Sequence, residues 1–319
     1  MRTDDRVRLG TVADMIAGAH TRAIELREWQ EPKHARLLKS PLAFVDDVVR
    51  ELSDDGKFGD ALPWPKTWSL YRERPHEVSI WAGANGDGKS TVTSEIAVYS
   101  AGVIKRHCVV ISLEVPAAKV AARMAVQAFA NRVPVRSAVL AWAEELSARL
   151  TFLDLTGDLS AIEVIKLVRY CAHELQAEHV TIDNLTKIVS ADNDHADDQR
   201  RFMAQLHRAA IDTGIHINLV AHTRKPPYDE KRPPGRYDIA GSRTLSDQPD
   251  NVIMVWRNRP KEAAIERGDL AQGKVPDLFL RVDKQRHGSF EGQIGLWMRR
   301  DCFRFVGDWA DDVYPYFAH

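Results

Sequence analysis

Cysteine and long apolar runs are both scarce in this sequence, and each scarcity excludes a class of protein. The 319 residues include three cysteines, Cys108, Cys171 and Cys302, which lie far apart without Cys-x-x-Cys spacing. Neither a zinc site nor a disulfide framework is therefore expected. No apolar run approaches the roughly 18 residues that a membrane-spanning helix needs, and the first residues lack the apolar stretch of a signal peptide. We expect a soluble, cytoplasmic protein without a membrane partner.

The net charge is small as well, at -1 near neutral pH. Any binding to nucleic acid must therefore come from a local basic patch, since the protein as a whole does not attract phosphate. Hydrophobic residues make up 44% of the chain, which is enough to bury one large core or two unequal ones. Composition thus predicts a globular protein and leaves its function to the motifs.

The segment 83–90 fits the phosphate-binding loop pattern G-x-x-x-x-G-K-[S/T] at every specified position, between a strand pattern at 78–82 and a helical pattern at 90–100. The glycines let backbone N–H groups turn around the β-phosphate, Lys89 reaches the β- and γ-phosphates, and the Ser90 hydroxyl ligates Mg²⁺. The sequence therefore predicts binding of ATP, or another NTP or dNTP, with Mg²⁺; the alternative is a chance glycine-rich turn. The residues assigned to the nucleotide are Gly83, Ala84, Asn85, Gly86, Asp87, Gly88, Lys89, Ser90 and Thr91.

From residue 78 onward, apolar strand patterns alternate with amphipathic helix patterns. This alternation predicts an α/β fold with a mostly parallel central sheet flanked by helices. The predicted strands cover 78–83, 107–113, 151–155, 179–183, 215–221 and 251–256, and the predicted helices cover 116–130, 160–177 and 195–213. Two later strands, 278–282 and 293–297, are predicted to extend the sheet edge as a hairpin.

The first 60 residues differ from the rest, because they are charged, helix-prone and free of strand patterns. We therefore predict a helical N-terminal extension over 1–60 and an ATPase domain over 61–319. The pair Ser40-Pro41 favours a helix start. An apolar stripe follows it, formed by Leu42, Val45, Val49 and Leu52. The stripe packs either on the protein's own core or on a neighbouring subunit, and the prolines within 63–68 predict a linker or turn.

Two carboxylates are candidates for metal binding and catalysis. Asp183 ends an apolar strand, where phosphate-loop enzymes hold the Mg²⁺ water shell; the alternative is a cap of the next turn. Asn184 stands where many ATPases carry their catalytic glutamate, so a base must come from elsewhere. Glu114 follows the strand 108–113, which we expect next to the loop strand or one strand removed, with Glu114 in the nucleotide crevice. Its alternative role is to begin the helix at Pro116.

Four further segments follow the phosphate loop in the order of a known family's motifs. They are Ile-Ser-Leu-Glu-Val-Pro at 111–116, the strand end and loop at 219–226, the Gly-Ser segment at 238–247, and Lys-Gln-Arg-His-Gly at 284–288. Together they resemble the hexameric RecA-like replicative helicases of bacterial and phage forks, the DnaB-like group, over residues 42–300. The resemblance implies a RecA-like core without a primase module, located in a bacterial cell or a phage-infected host.

The resemblance also implies roles for individual residues. Glu114 would be the catalytic glutamate, His222 would sense the γ-phosphate, and Arg286, assisted by Lys284, would enter a neighbour's ATP site as an arginine finger. A basic loop and the Gly-Ser segment would contact single-stranded DNA. The DNA-binding candidates are Arg224, Lys225, Lys231, Arg232, Arg236, Gly241, Ser242 and Arg243. The alternatives are a core histidine at position 222 and a solvated surface loop.

The function that follows from the resemblance is an ATP-dependent, ring-forming DNA helicase, expected as a hexamer. It would translocate on single-stranded DNA and unwind duplex DNA during replication, with a separate primase, loader or polymerase as partners. The alternative is a RecA-fold ATPase that acts as a recombination mediator or as a regulatory or assembly ATPase without unwinding. Asp87 departs from the family pattern, since small or neutral residues are commoner there, and its charge is expected to disfavour nucleotide binding.

Overall fold

The structure, a computed structural model, describes residues 38–46, 48–49, 58–189, 195–224, 233–269 and 273–317. The chain divides into two compact units, Met1–Asp54 and Asp55–His319. In the first unit, a 3-10 turn at Pro41–Phe44 leads into helical residues, as the proline at the first helical position favours. The described side chains of the apolar stripe, Leu42, Val45 and Val49, are exposed; Leu52 lies outside the described residues. Among the two alternatives, this exposure disfavours packing of the stripe on the protein's own core.

The second unit is built on a nine-stranded sheet. The strands of the unit are β1 (Asp60–Ala61), β2 (Arg72–Glu73), β3 (Val78–Gly83), β4 (Cys108–Ser112), β5 (Leu150–Leu153), β6 (His179–Asp183), β7 (His216–His222), β8 (Asn251–Arg257), β9 (Leu278–Gln285), β10 (Gly292–Arg299) and β11 (Arg304–Val306). The helices are α1 (Lys89–Tyr99), α2 (Ala117–Phe129), α3 (Arg136–Leu146), α4 (Ala161–His173), α5 (Ala196–Thr213), α6 (Thr244–Asp247) and α7 (Arg259–Glu266). Across the sheet the strand order is β11-β10-β9-β8-β3-β7-β6-β4-β5.

The predicted α/β fold with a mostly parallel sheet is confirmed. Strands β8, β3, β7, β6, β4 and β5 run parallel, and β3 is buried along its whole length in the middle of the sheet. The predicted edge hairpin also forms, because β9 and β10 pair antiparallel. The predicted helix 160–177 starts at its capping box on Ser160 but ends at His173. Gln176 has a φ of 54°, which does not continue a helix.

Three elements have weak sequence signals and were not predicted. Helix α3 buries only Trp142 and Leu146, so it lacks a full apolar stripe. Helix α7 has eight residues, and strand β11 has three, which is too short for a periodic pattern. No helix within the described ranges is long and apolar enough to cross a membrane.

The proline-rich segment at 63–68 forms a turn, and the linker alternative is wrong. Residues Pro65–Thr67 form a 3-10 turn, and the preceding Trp64 is 1% exposed within the apolar cluster on the β8–β11 side of the sheet. The Trp64 indole N–H donates to the carbonyl oxygen of Phe305 at 3.0 Å. The prolines therefore shape a turn that carries a buried anchor.

A buried ionic cluster ties the β1–β2 pair to the amino end of the central sheet. Asp60 and Glu73 face each other across the antiparallel pair, and His179 lies 2.8 Å from Asp60 and 3.4 Å from Glu73. Burial alone would lower the pKa of His179, but hydrogen bonds and charges from the two carboxylates raise it to about 9. The imidazolium thus separates two carboxylates that would otherwise repel each other.

This cluster makes stability depend on pH in the alkaline range. The pKa of His179 is raised above its usual 6.5 to about 9, so its stabilisation is complete below pH 6.5 and is lost as the pH rises through 9, by at most about 3 kcal/mol. We expect the urea-unfolding free energy to fall between pH 6.5 and 9.5 in the wild type and to change less in His179→Gln. His173→Gln, which removes an exposed histidine, is the control. Equal pH slopes in the wild type and His179→Gln would contradict the ionic role of His179.

Candidate nucleotide-binding site

The phosphate loop connects β3 to α1 at the carboxyl edge of the sheet, as the motif predicts. Gly83 is required by packing, because a Cβ atom there would lie 2.2 Å from the carbonyl oxygen of Val255. Gly88 caps α1 with a φ of 91°, a conformation that side chains rarely adopt. The loop therefore ends at the amino end of a helix, where backbone N–H groups and the helix dipole favour a phosphate.

Lys89 lies folded against the loop. Its ammonium group donates to the carbonyl oxygens of Gly83 at 3.0 Å and Ala84 at 2.9 Å. Burial lowers the pKa of Lys89, while the charges of Asp87, Asp183 and Glu114 oppose that effect. The cation is thus held at the loop by two carbonyl contacts, which a phosphate group can replace.

Ser90 and Asp183 lie together at the end of neighbouring elements, α1 and β6. The Ser90 hydroxyl donates to the Asp183 carboxylate at 2.5 Å. Burial raises the pKa of Asp183, and the Ser90 hydrogen bond opposes this. Within the described ranges no group of three or more His, Cys, Asp or Glu side chains forms a protein metal cage. A hydroxyl and one carboxylate fit Mg²⁺, which takes few protein ligands and completes its octahedron with water and phosphate oxygens.

Glu114 and His222 face each other on the same cavity. Glu114 Oε1 lies 3.7 Å from His222 Nε2, and the Asn184 amide donates to that nitrogen at 2.8 Å. Burial and the Lys89 charge lower the pKa of His222, with Glu114 and Asp183 opposing, so the ring is neutral at pH 7. The cavity has a volume of about 390 Å³ and is lined by Asn85, Gly86, Gly88, Lys89, Ser90, Thr91, Glu114, Asp183 and His222.

The expected position of the Glu114 strand is wrong, although the side chain reaches the predicted cavity. Strand β4, which precedes Glu114, is separated from β3 by both β7 and β6. The order of strands in a parallel sheet is set by crossover connections that the sequence does not display. The carboxyl ends of β3, β7, β6 and β4 nevertheless share one edge, and this brings Glu114 to the phosphate loop.

Asp87 is the residue for which the sequence suggested a penalty, and the structure gives it a partner. Its side chain is 1% exposed, its Oδ2 accepts from the Ala84 amide at 3.2 Å, and its Oδ1 lies 2.9 Å from the Arg259 guanidinium. The carboxylate is therefore neutralised by a residue of α7.

A second cavity of about 230 Å³ adjoins the other side of the phosphate loop, at Gly86, Gly88 and Thr91. Glu262 lies at its polar side, where it pairs with Arg257 at 2.9 Å and Arg300 at 2.8 Å. Its apolar lining residues are Leu278, Met298, Phe303 and Phe305. An aromatic and aliphatic wall beside a polar rim suits a flat heterocycle.

Arg286 and Lys284 are not part of this cavity. Arg286 lies 3.1 Å from Asp250, whose carboxylate also accepts from the amide of Val78 at the amino end of β3. The phosphate loop starts at the opposite end of that six-residue strand, about 16 Å away. Lys284 lies nearby and donates to the carbonyl oxygens of Asp247 and Pro249.

The DNA-binding candidates lie partly within the described ranges; Lys225, Lys231 and Arg232 lie outside them. Thr223 and Ile239 form a bridge that brings the two ends of the basic loop together. The guanidinium of Arg224 donates to the Gly241 carbonyl at 2.7 Å, and Arg236 donates to the Asp283 carbonyl at 3.3 Å. Both arginines therefore support the base of the loop.

The Gly-Ser segment packs against α5. A Cβ atom on Gly241 would lie 2.6 Å from Leu245 and 2.8 Å from Gln199, and the amide of Ser242 donates to the Gln199 side chain at 2.7 Å. Arg243 follows with an exposed side chain. The glycine is thus needed for a tight turn, and Arg243 is the described member of the segment that faces solvent.

Three side chains at the site received no role from the sequence. Asn184 orients His222, Arg123 is buried where it senses the charge of Asp183, and Arg259 contacts the phosphate loop. Asn184 had a signal, since a polar residue after the Asp183 strand lies at the carboxyl edge of the sheet. Arg259 had none, because it contacts Asn85 from 174 residues further along the chain.

The fold and this cavity define a phosphate-loop ATPase of helicase-like architecture. A family model described as an AAA domain matches residues 46–227, which include the loop, Glu114, Asp183 and His222. Because the match spans more than half of the 319 residues, the chain belongs to the AAA domain family. No curated protein matches the chain in sequence.

Two solved helicase structures share the fold. The ATPase domain of one helicase matches with a TM-score of 0.69 at 16% identity, covering 84% of this chain and 98% of that one. A DnaB-like replicative helicase, described together with its interactions with primase, matches with a TM-score of 0.68 at 16% identity, covering 92% of this chain and 73% of that one. The RecA-like core is thereby confirmed, and the resemblance to the DnaB-like group is confirmed at the level of the fold.

Proposed function

We propose that this protein is an ATP-dependent, ring-forming DNA helicase that moves along single-stranded DNA and unwinds duplex DNA in replication. One observation carries the proposal: a single cavity holds the phosphate loop, the Ser90–Asp183 pair, Glu114 and His222. Those residue types supply a phosphate cradle, a metal site, a base and a sensor. The DnaB-like fold of the chain supports the motor role.

The catalytic steps follow from the side chains of the cavity. Ser90 and Asp183 would hold Mg²⁺, which when bound supplies positive charge to the β- and γ-phosphate oxygens. Lys89 exchanges its two carbonyl contacts for phosphate oxygens. Glu114, whose side chain is 41% exposed, accepts a proton from the attacking water. His222 stays neutral beside Glu114, where it contacts the γ-phosphate side of the cavity.

The second cavity would hold the base of the nucleotide. It borders the phosphate loop at Thr91 and the two glycines, so one bound molecule can place its phosphates and its base in the two cavities. Phe303 and Phe305 would stack on the heterocycle. Nothing in that lining distinguishes ATP from another NTP or dNTP, so the proposal covers both.

Hydrolysis would be coupled to DNA through the base of the basic loop. The backbone carbonyl of His222 accepts from the amide of Ala240 at 2.9 Å, and the amide of Arg224 donates to the Asp238 carbonyl at 2.8 Å. A shift of His222 on loss of the γ-phosphate therefore moves both ends of the loop. Basic residues on an extended loop suit the backbone of a single strand.

Two observations support a ring. Arg286 lies about one strand length from the loop of its own chain, so as an arginine finger it would serve a neighbouring chain's nucleotide. The exposed stripe of Leu42, Val45 and Val49 suits a second subunit as its cover. We propose a homo-oligomer, with six subunits as in the resembling family, acting in the cytoplasm with a separate primase, loader or polymerase.

Glu114 gives a prediction with a defined split between binding and turnover. Glu114→Gln keeps the shape of the side chain but cannot accept a proton, so we expect ATP binding to persist while kcat falls by about 10²-fold or more. Steady-state hydrolysis and equilibrium binding measure the two quantities. Glu144→Gln, an exposed position on α3, is the control. Normal turnover in Glu114→Gln would assign the base to another residue.

Strand displacement on forked DNA tests the proposed function. Wild-type protein should release the labelled strand with ATP and not without it. ATPase activity stimulated by single-stranded DNA without displacement would favour a recombination mediator. Activity that DNA does not change would favour a regulatory or assembly ATPase.

A further inference from the structure

The inside of the phosphate loop contains a charge that the loop motif does not require. Asp87 occupies one of the four unspecified positions of the motif, yet its side chain is 1% exposed. Its Oδ2 accepts from the Ala84 amide at 3.2 Å, and its own amide donates to the Ala84 carbonyl at 3.2 Å. These two contacts close a small turn at the centre of the loop. The turn fixes where the following N–H groups point.

The charge of Asp87 is balanced from outside the loop. Arg259, the first residue of α7, places one guanidinium nitrogen 2.9 Å from Asp87 Oδ1 and 3.1 Å from the carbonyl oxygen of Asn85. Burial raises the pKa of Asp87, and the Arg259 charge is the largest opposing effect. A buried carboxylate without such a partner is strongly unfavourable, and the loop would have to open to hydrate it.

We infer that Arg259 is a positioning residue that locks the phosphate loop in its binding conformation through Asp87 and Asn85. The inference rests on the proposed nucleotide site and deepens it. Arg259 joins the loop to α7, and the same helix carries Glu262 at the second cavity. The guanidinium lies on the Gly86 side of the loop, 3.8 Å from the position of a Cβ atom there. It acts on the cradle from behind and does not line the phosphate cavity.

The mechanism predicts a particular pattern of rescue. Arg259→Ala leaves the Asp87 carboxylate buried and unpaired, so we expect the Kd for Mg-ADP to rise about tenfold or more, with KM for ATP rising in parallel and kcat nearly unchanged. Asp87→Asn removes the charge and keeps an oxygen for the Ala84 amide, so it should bind close to normally. The double variant should recover most of the lost affinity, because no unpaired charge remains.

The experiment measures the Kd of a fluorescent ADP analogue with Mg²⁺ for the wild type, the two single variants and the double variant. Arg267→Ala, an exposed arginine just after the same helix, is the matched control and should bind normally. If Arg259→Ala does not fold, Arg259→Lys replaces it, with a smaller loss that Asp87→Asn relieves.

The outcomes separate this inference from the proposed function. Equal binding by wild type and Lys89→Ala would reject the nucleotide site itself. Binding that depends on Lys89 but not on Arg259 would overturn the locking role alone. A loss in Arg259→Ala that Asp87→Asn leaves uncorrected would overturn the charge-pair mechanism.

Discussion

We expect Lys89→Ala to reduce ATP hydrolysis by at least about 10³-fold while the protein keeps its fold. The Lys89 ammonium group donates to two carbonyl oxygens of the loop, so its removal takes little from the core. In the bound state the same ammonium group would neutralise the β- and γ-phosphates, and it is the one lysine among the residues that line the described cavity. Phosphate release measures the activity, and circular dichroism with thermal unfolding measures the fold.

The control for this variant is Lys119→Ala, which removes an exposed lysine from α2. It should hydrolyse ATP at the wild-type rate, because its side chain lies outside the cavity lining. Wild-type hydrolysis in Lys89→Ala would remove the assignment of segment 83–90 to the nucleotide. A loss of both activity and folded structure would instead make Lys89 a residue of the core.

Arg286→Ala should lower turnover by about 10³-fold and leave nucleotide binding intact. The expected cause is loss of the cation that stabilises charge on the transferred phosphoryl oxygens. Within its own chain Arg286 pairs with Asp250 at the end of the sheet opposite the loop, so a local role could also explain a defect. Steady-state kinetics and ADP binding separate turnover from affinity.

Asp250→Asn is the matched variant that separates these two roles. It breaks the ion pair within the chain, keeps an oxygen for the Val78 amide and leaves the guanidinium of Arg286 in place. An arginine finger predicts that Asp250→Asn stays active while Arg286→Ala does not. Similar defects in both variants would show that Arg286 acts through the pair with Asp250.

The sequence predicted the parts of the site that depend on local pattern. The phosphate loop could be predicted because its residue types and spacing are set by backbone geometry within eight positions. Strand ends such as Asp183 and Glu114 could be predicted because the carboxyl ends of parallel strands share one edge. These signals each lie within a few residues of the atoms that use them.

The parts that could not be predicted depend on contacts between distant residues. The order of β3, β7, β6 and β4 is a property of chain crossovers, so the place of the Glu114 strand was wrong. The Arg259 contact to Asp87 joins two segments through β8, and no local pattern marks it. The end of the sheet at which Arg286 lies follows from the antiparallel return of β9, which reverses the direction of the edge.

The most direct test of the shared-site motor mixes two inactive variants. A Lys89→Ala subunit carries an intact Arg286, and an Arg286→Ala subunit carries an intact phosphate loop, so some neighbours in a mixed assembly form a complete site. The account predicts that such mixtures regain measurable ATPase activity at intermediate ratios. Co-assembly, shown by pull-down of differently tagged subunits, without any recovery of activity at any ratio would contradict it.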